Sequence, residues 1–80
     1  MKLPRDLSGR EVVDSLVRML GYRVVHEKGS HIVIETDSPS RQRIVVPDHK
    51  VLRLGTLNAV PRAVAAHKGL DKNQVAALLR

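Results

Sequence analysis

Eighty residues with 42% hydrophobic content suffice for one small domain with a thin core, and they exclude a cofactor-binding enzyme with a separate substrate domain. Fourteen Lys and Arg against eight Asp and Glu leave a formal net charge of +6, which favours a polyanionic partner, the plainer reading being a basic surface kept for solubility. The lack of cysteine excludes disulfides and thiolate metal sites, and Tyr22, the only aromatic residue, argues against a surface that binds by stacking exposed bases.

No apolar run approaches the length that spans a bilayer, and "MKLPRDLSGRE" has no segment like that of a signal peptide. The expected setting is therefore cytoplasmic, with no membrane partner, and the expected organisation is a single domain over residues 1–80.

In chain order, "LSGREVVDSLVRMLGY" carries a complete helix signature. Ser8 can cap the free N–H groups, Glu11 can answer it as a capping box, and Leu7 can staple onto Val12. Val12, Val13, Leu16, Val17 and Leu20 form one apolar stripe, with Arg10, Asp14 and Arg18 pointing mostly away. Gly21 supplies the stop, which predicts a helix over about residues 9–20.

The period then changes. Tyr22 to His26, His31 to Thr36 and Gln42 to Val46 read as strands separated by "EKGS" and "DSPS" turns, which predicts an antiparallel meander closed by Pro47. Alternation puts Ile32 and Ile34 on one face and His31, Val33 and Glu35 on the other. If the isoleucines face the helices, His31 faces away from the core.

"PDHKVLRLGT" is expected to be an ordered connection that Leu52 and Leu54 pin to the domain. In "GTLNAVPRAVAAHKGL" the preferred helix cap is Asn58, which places Pro61 in the first turn; a cap at Thr56 would put Pro61 inside the helix. Gly69 ends this helix after His67 or Lys68. Asp71 with Gln74, and Leu70 against Val75, open a short last helix whose apolar side is Val75, Leu78 and Leu79. The fold class expected is α+β: a three-stranded antiparallel sheet with helices on one face, in the order α-β-β-β-α, and a short C-terminal helix.

Chemistry gathers at one end of that sheet. Lys28, Gly29, Ser30 and His31 lie at the first hairpin; His49 and Lys50 follow the third strand, and antiparallel pairing brings both segments toward the same end. On RNA, an imidazole there can take a ribose 2′-hydroxyl proton so that the oxygen attacks the adjacent phosphate, while Lys or Arg stabilises the phosphoryl charge. Gly29 can admit phosphate close to the backbone and Ser30 can donate a hydrogen bond. "KGS" is equally an ordinary hairpin turn, and His31 a surface histidine. His26, His31, His49 and His67 show no compact metal-ligand spacing, so neither a metal nor another cofactor is expected, although His31 and His49 could meet in space. A noncatalytic RNA-binding module would use the same basic groups to hold phosphates; a helix-turn-helix DNA binder has little support, because the last helices lack a basic recognition face.

The pieces "SGREVVDSLVRMLGYRVVHEKGSHIVI", "RIVVPDH" and "LRLGTL", in that order over roughly residues 8–57, resemble the HicA, or YcfA-like, toxin family of small RNA-cleaving proteins. The resemblance implies a double-stranded-RNA-binding-like domain, messenger RNA as substrate and inhibition by a HicB-type antitoxin. It implies that His31 is the catalytic histidine, with Gly29 and Ser30 as its turn. Pro47 and His49 match the family's "VP-x-H" segment, and Gly55, Thr56 and Leu57 its "GTL". Lys28, Lys50 and Arg53 are the cations expected to bind RNA or support the transition state alongside Gly29, Ser30 and His49. After Leu57 the chain departs from the family pattern: it holds Pro61 and delays its glycine turn to Gly69, by about one helical turn.

Overall fold

The computed structural model describes residues 6–79; residues 1–5 and 80, part of the expected 1–80 span, lie outside the described residues. Helix α1 (Gly9–Leu20) begins at the capping box read from the sequence, with the Glu11 N–H donating to the Ser8 hydroxyl at 3.0 Å and the Ser8 N–H donating to the Glu11 carboxylate at 2.9 Å. Gly21 ends it in the left-handed region at φ +72°. Strands β1 (Arg23–Lys28), β2 (His31–Thr36) and β3 (Gln42–Pro47) follow as an antiparallel sheet in the order β1-β2-β3. Helices α2 (Leu54–Lys68) and α3 (Lys72–Leu78) complete an α+β chain in the expected α-β-β-β-α arrangement with a short final helix.

Alternation along β2 separates core from open face. Ile32, Ile34 and, from β3, Val46 are fully buried and pack in one cluster with Val12, Val13 and Leu16 of α1, Leu57, Val60 and Val64 of α2, and Val75 of α3. Burying each such aliphatic side chain contributes about 1.5–3 kcal/mol, which makes this aliphatic layer the main source of stability. His31, on the opposite phase, is exposed.

Several boundaries and packing assignments differ from the sequence expectation. Strand β1 extends past His26 because Glu27 pairs with Ile32 and Lys28 with His31, leaving only Gly29 and Ser30 as the turn. Gly29 has φ +57°, so a residue without Cβ suits the first turn position. Pro47 is the last residue of β3, opposite His31, rather than the first beyond it. Val17 and Leu54 are exposed despite their apolar side chains, whereas Leu52 is buried and helps pin the loop, its N–H donating to the Leu7 carbonyl at 2.8 Å. Leu78 is half-buried and Ala76 takes the buried place in α3.

Helix α2 starts neither at Asn58 nor at Thr56. Arg53 is its extended N-cap, and the Leu57 N–H donates to the Arg53 carbonyl at 3.0 Å, so Pro61 lies inside the helix. The loss of a helical N–H at Pro61 is offset by burial, because Pro61 packs fully inside beside Leu57 and Val64. Asn58 instead donates from its side chain to the Leu54 carbonyl at 3.0 Å and accepts from Lys72 at 3.3 Å. The buried Leu52 immediately precedes this N-cap.

The far end of α2 holds the β2–β3 loop. His67 Nε2–H donates to the Ser40 carbonyl at 2.7 Å, and Lys68 Nζ donates to the Thr36 hydroxyl at 2.8 Å while lying 5.0 Å from the centroid of the Tyr22 ring. Tyr22 itself is buried, and that burial raises its phenol pKa. His67 therefore has a structural partner away from the first hairpin.

Candidate functional site

The sheet register brings together the two segments that the sequence separates by sixteen or more residues. His31 pairs with Pro47, and because Pro47 has no N–H, the next residue continues the contact: the Asp48 N–H donates to the Ser30 carbonyl at 2.6 Å. One step on, the His49 carbonyl accepts from the Gly9 N–H at 2.9 Å, which ties the same loop to the start of α1. Lys28, Gly29, Ser30 and His31 thus share one end of the sheet with His49 and Lys50, all six exposed. Arg53 stands apart from this pairing, at the N-cap of α2.

Gly9 explains how α1 can approach so closely. A Cβ at that position would lie 1.9 Å from the Pro47 carbonyl oxygen, far inside any tolerated contact, so only glycine lets the helix start rest on the strand that faces His31. The glycine of "SGRE" therefore serves the site as well as the helix.

Arg10, expected to point mostly away, reaches back over this end. Its guanidinium donates to Glu27 and, at 3.3 Å, to Asp48. The hydrogen bond to Glu27 leads the interactions that hold Arg10 still more firmly protonated than usual, with the charge of Asp48 adding to it. A single guanidinium from outside the hairpin thus pairs with both Glu27 and Asp48. Among the described residues, no carboxylate forms an ion pair with Lys28, Lys50 or Arg53. These cations remain available to an anion.

The other end of the open face is built differently. Glu35 shares the phase of His31, yet its side chain is only 6% exposed beneath Arg23, Arg41 and Arg43, whose side chains remain 51%, 69% and 55% exposed. Arg41 Nε donates to one carboxylate oxygen, while Arg43 and Arg23 approach the other at 3.5 and 3.7 Å. Burial alone would raise the Glu35 pKa; the hydrogen bond from Arg41 and the charges of Arg41, Arg43 and Arg23 outweigh it and hold the carboxyl below its ordinary range. Arg23 also donates to Asp37 at 2.9 Å.

Three features of this surface were absent from the sequence expectation: the Arg10 bridge, the arginines over Glu35, and an irregularity in β1, where the pairing steps from Val24–Ile34 to His26–Val33 and leaves Val25 as an extra residue. The first two depend on side chains brought from separate elements. The last had no signal, since consecutive valines suit a regular strand equally well. Among the described residues, no group of three or more His, Asp or Glu is placed to hold a metal ion, and no helix is long and apolar enough to cross a membrane.

Comparison with known proteins matches the chain to a family. The family model described as HicA toxin of bacterial toxin-antitoxin covers residues 9–70, so the likeness runs past Leu57 and through the whole of the Pro61-containing helix. No curated protein and no solved structure matches the chain.

Proposed function

The chain belongs to the HicA toxin family, and from that premise we propose that it is a metal-independent endoribonuclease that cleaves messenger RNA in the cytoplasm and is held in check by a HicB-type antitoxin. The observation that carries the proposal is the seating of an exposed His31 opposite Pro47, with the Ser30 carbonyl bonded to Asp48, at an end of the sheet whose lysines pair with no carboxylate among the described residues. A single domain carries both binding and cleavage.

In this mechanism His31 acts as general base. Its imidazole takes the proton of a ribose 2′-hydroxyl, and the freed oxygen attacks the adjacent phosphorus. Lys28, directly across the hairpin from His31, and Lys50 on the facing loop balance the charge that grows on the phosphoryl oxygens. Gly29 presents backbone without a side chain, and the Ser30 hydroxyl supplies a further donor. His49 and Arg53 hold neighbouring phosphates. The nucleophile belongs to the RNA, so no bound ion is needed to generate it.

The antitoxin's task follows from the same surface. A partner that silences the enzyme covers His31 or blocks the phosphate path with acidic or polar groups, so RNA and inhibitor compete for one face.

The test is cleavage of a defined RNA by highly purified protein, with and without EDTA, beside the His31→Ala variant. The expected result is EDTA-resistant cleavage that falls by about 100- to 10,000-fold in the folded variant, the range for loss of a positioned acid–base group. Full activity of His31→Ala would refute the assignment, and loss on chelation with recovery on adding one divalent ion would point to metal-assisted hydrolysis.

A further inference from the structure

The extra residue in β1 decides which way that strand's basic side chains face. Arg23 pairs with Glu35 and Val24 with Ile34; by strict alternation from there, His26 and Lys28 would share the phase of Val24, toward the helices. Val25 intervenes, and the pairing resumes with His26 opposite Val33 and Lys28 opposite His31. Arg23, His26 and Lys28 consequently all stand on the open face with His31, Val33 and Glu35. Bulges recur where a side chain must be re-aimed. Burial does not call for this one, since every residue of β1 is exposed.

The result is a triangle at the end of the sheet. Lys28 lies directly across from His31, and His26 lies on the diagonal, two residues back along the neighbouring strand. Diagonal neighbours on an antiparallel pair are about 7–8 Å apart, a span that side chains as long as imidazole can bridge through one phosphate. Both rings are exposed. His67, by contrast, is tied to the Ser40 carbonyl. His49 sits beyond Pro47, off the end of the ladder, with its carbonyl bound by Gly9.

We infer that His26 is a second catalytic residue, the proton donor to the oxygen that leaves, so that His26 and His31 form an acid–base pair on the open face. The inference rests on the proposed cleavage at His31. In the step, His31 takes the 2′-hydroxyl proton, the 2′-oxygen forms its bond to phosphorus, and the bond from phosphorus to the 5′-oxygen breaks. The imidazolium of His26 gives its proton to that oxygen. The products are a 2′,3′-cyclic phosphate and a 5′-hydroxyl, with His31 left protonated and His26 neutral. Lys28, two residues from His26 along β1 and directly across from His31, faces the non-bridging oxygens throughout.

A bridging-sulfur substrate isolates the donor's role. If sulfur replaces the 5′-oxygen at the cleaved linkage, the leaving thiolate needs no proton, so loss of an acid is repaired while loss of a base is not. His26→Ala and His26→Gln are expected to cut the ordinary linkage about 100- to 10,000-fold more slowly than wild type and to cut the sulfur linkage at nearly the wild-type rate. His31→Ala is expected to stay slow on both. Equal slowing of both linkages by the His26 variants would show that His26 only holds phosphate or structure, and an unslowed ordinary linkage would show that it has no part; either overturns the inference. Sulfur rescue of His49→Ala in place of His26→Ala would move the donor to the loop. Wild-type rates from His31→Ala would instead remove the base, which is the failure of the parent reading.

Discussion

The two ends of the open sheet face carry the same kind of side chain in opposite circumstances. Around Glu35, three arginines converge on one buried carboxylate and Arg23 is further engaged by Asp37. Around His31, no carboxylate among the described residues pairs with Lys28 or Lys50, while Arg10 bonds both Glu27 and Asp48. Positive charge is therefore committed to the fold at one end and left for a ligand at the other. The comparison teaches that the net charge of +6 is a poor guide to where phosphate binds; what matters is which cations lack an internal anion. The means of holding differ as well: side-chain ion pairs at the Glu35 end, and at the His31 end backbone bonds that involve Ser30, His49 and Leu52 besides the Arg10 bridge.

Backbone closeness makes the His31 end sensitive to a single methyl group. Gly9→Ala places a Cβ 1.9 Å from the Pro47 oxygen, so either the start of α1 or the loop after β3 must move. The expected loss is about 1–3 kcal/mol of stability, as for other overpacked sites. For a domain of this size each kcal/mol lowers Tm by about 4–8 °C. Cleavage is expected to fall along with Tm, since the displaced segment carries Asp48 to Lys50. A Gly9→Ala chain with unchanged melting and activity would break the link between the helix start and the site.

The Glu35 end responds to acid instead. Its carboxyl pKa is lower in the folded chain than in the unfolded one, so the stabilisation it gives is complete above the ordinary carboxylate range and is lost as pH falls through the lowered folded value. Glu35→Gln is expected to be less stable than wild type at neutral pH, with the difference closing as the wild-type carboxyl protonates. Its RNA cleavage at neutral pH, measured well below its Tm, is expected to match wild type. Melting curves from neutral to acid pH, paired with one cleavage assay, check both statements; a large activity loss in a fully folded Glu35→Gln would erase the division between the two ends.

Salt gives the finest contrast. RNA affinity is expected to fall as monovalent salt rises, and Lys28→Ala should flatten the slope of log affinity against log salt by about 0.7, the value for one phosphate contact on a single strand. Arg43→Ala is expected to leave that slope nearly unchanged, since its guanidinium is directed to Glu35. Equal flattening by both substitutions would extend the phosphate path over the whole face.

How much of this was legible in the sequence follows from the range of each interaction. The capping boxes at Ser8 and Asp71 join residues three apart, and the phase of Ile32 and Ile34 against His31 needs only alternation; all of these could be read directly. The convergence of "GSH" with "PDH" followed from antiparallel order. The start of α2 could not be read, because its N-cap, Arg53, makes no side-chain cap bond and the buried Pro61 lies inside the helix, where local preference assigns it to a first turn. The cover over Glu35 draws on two strands and a loop. The site residues proposed from the sequence were found together except Arg53, while Arg10 and the extra residue that turns His26 outward needed the assembled sheet.

The most direct test of the central claim removes the nucleophile and leaves every protein group in place. A single deoxyribose on the 5′ side of the cleaved phosphate should stop cutting at that linkage while leaving RNA affinity nearly unchanged, and the all-ribose RNA should yield fragments ending in a 2′,3′-cyclic phosphate, or its hydrolysed form, and a 5′-hydroxyl by mass spectrometry. Efficient cutting of the deoxy linkage would contradict attack by the 2′-hydroxyl, even if His31 proved indispensable.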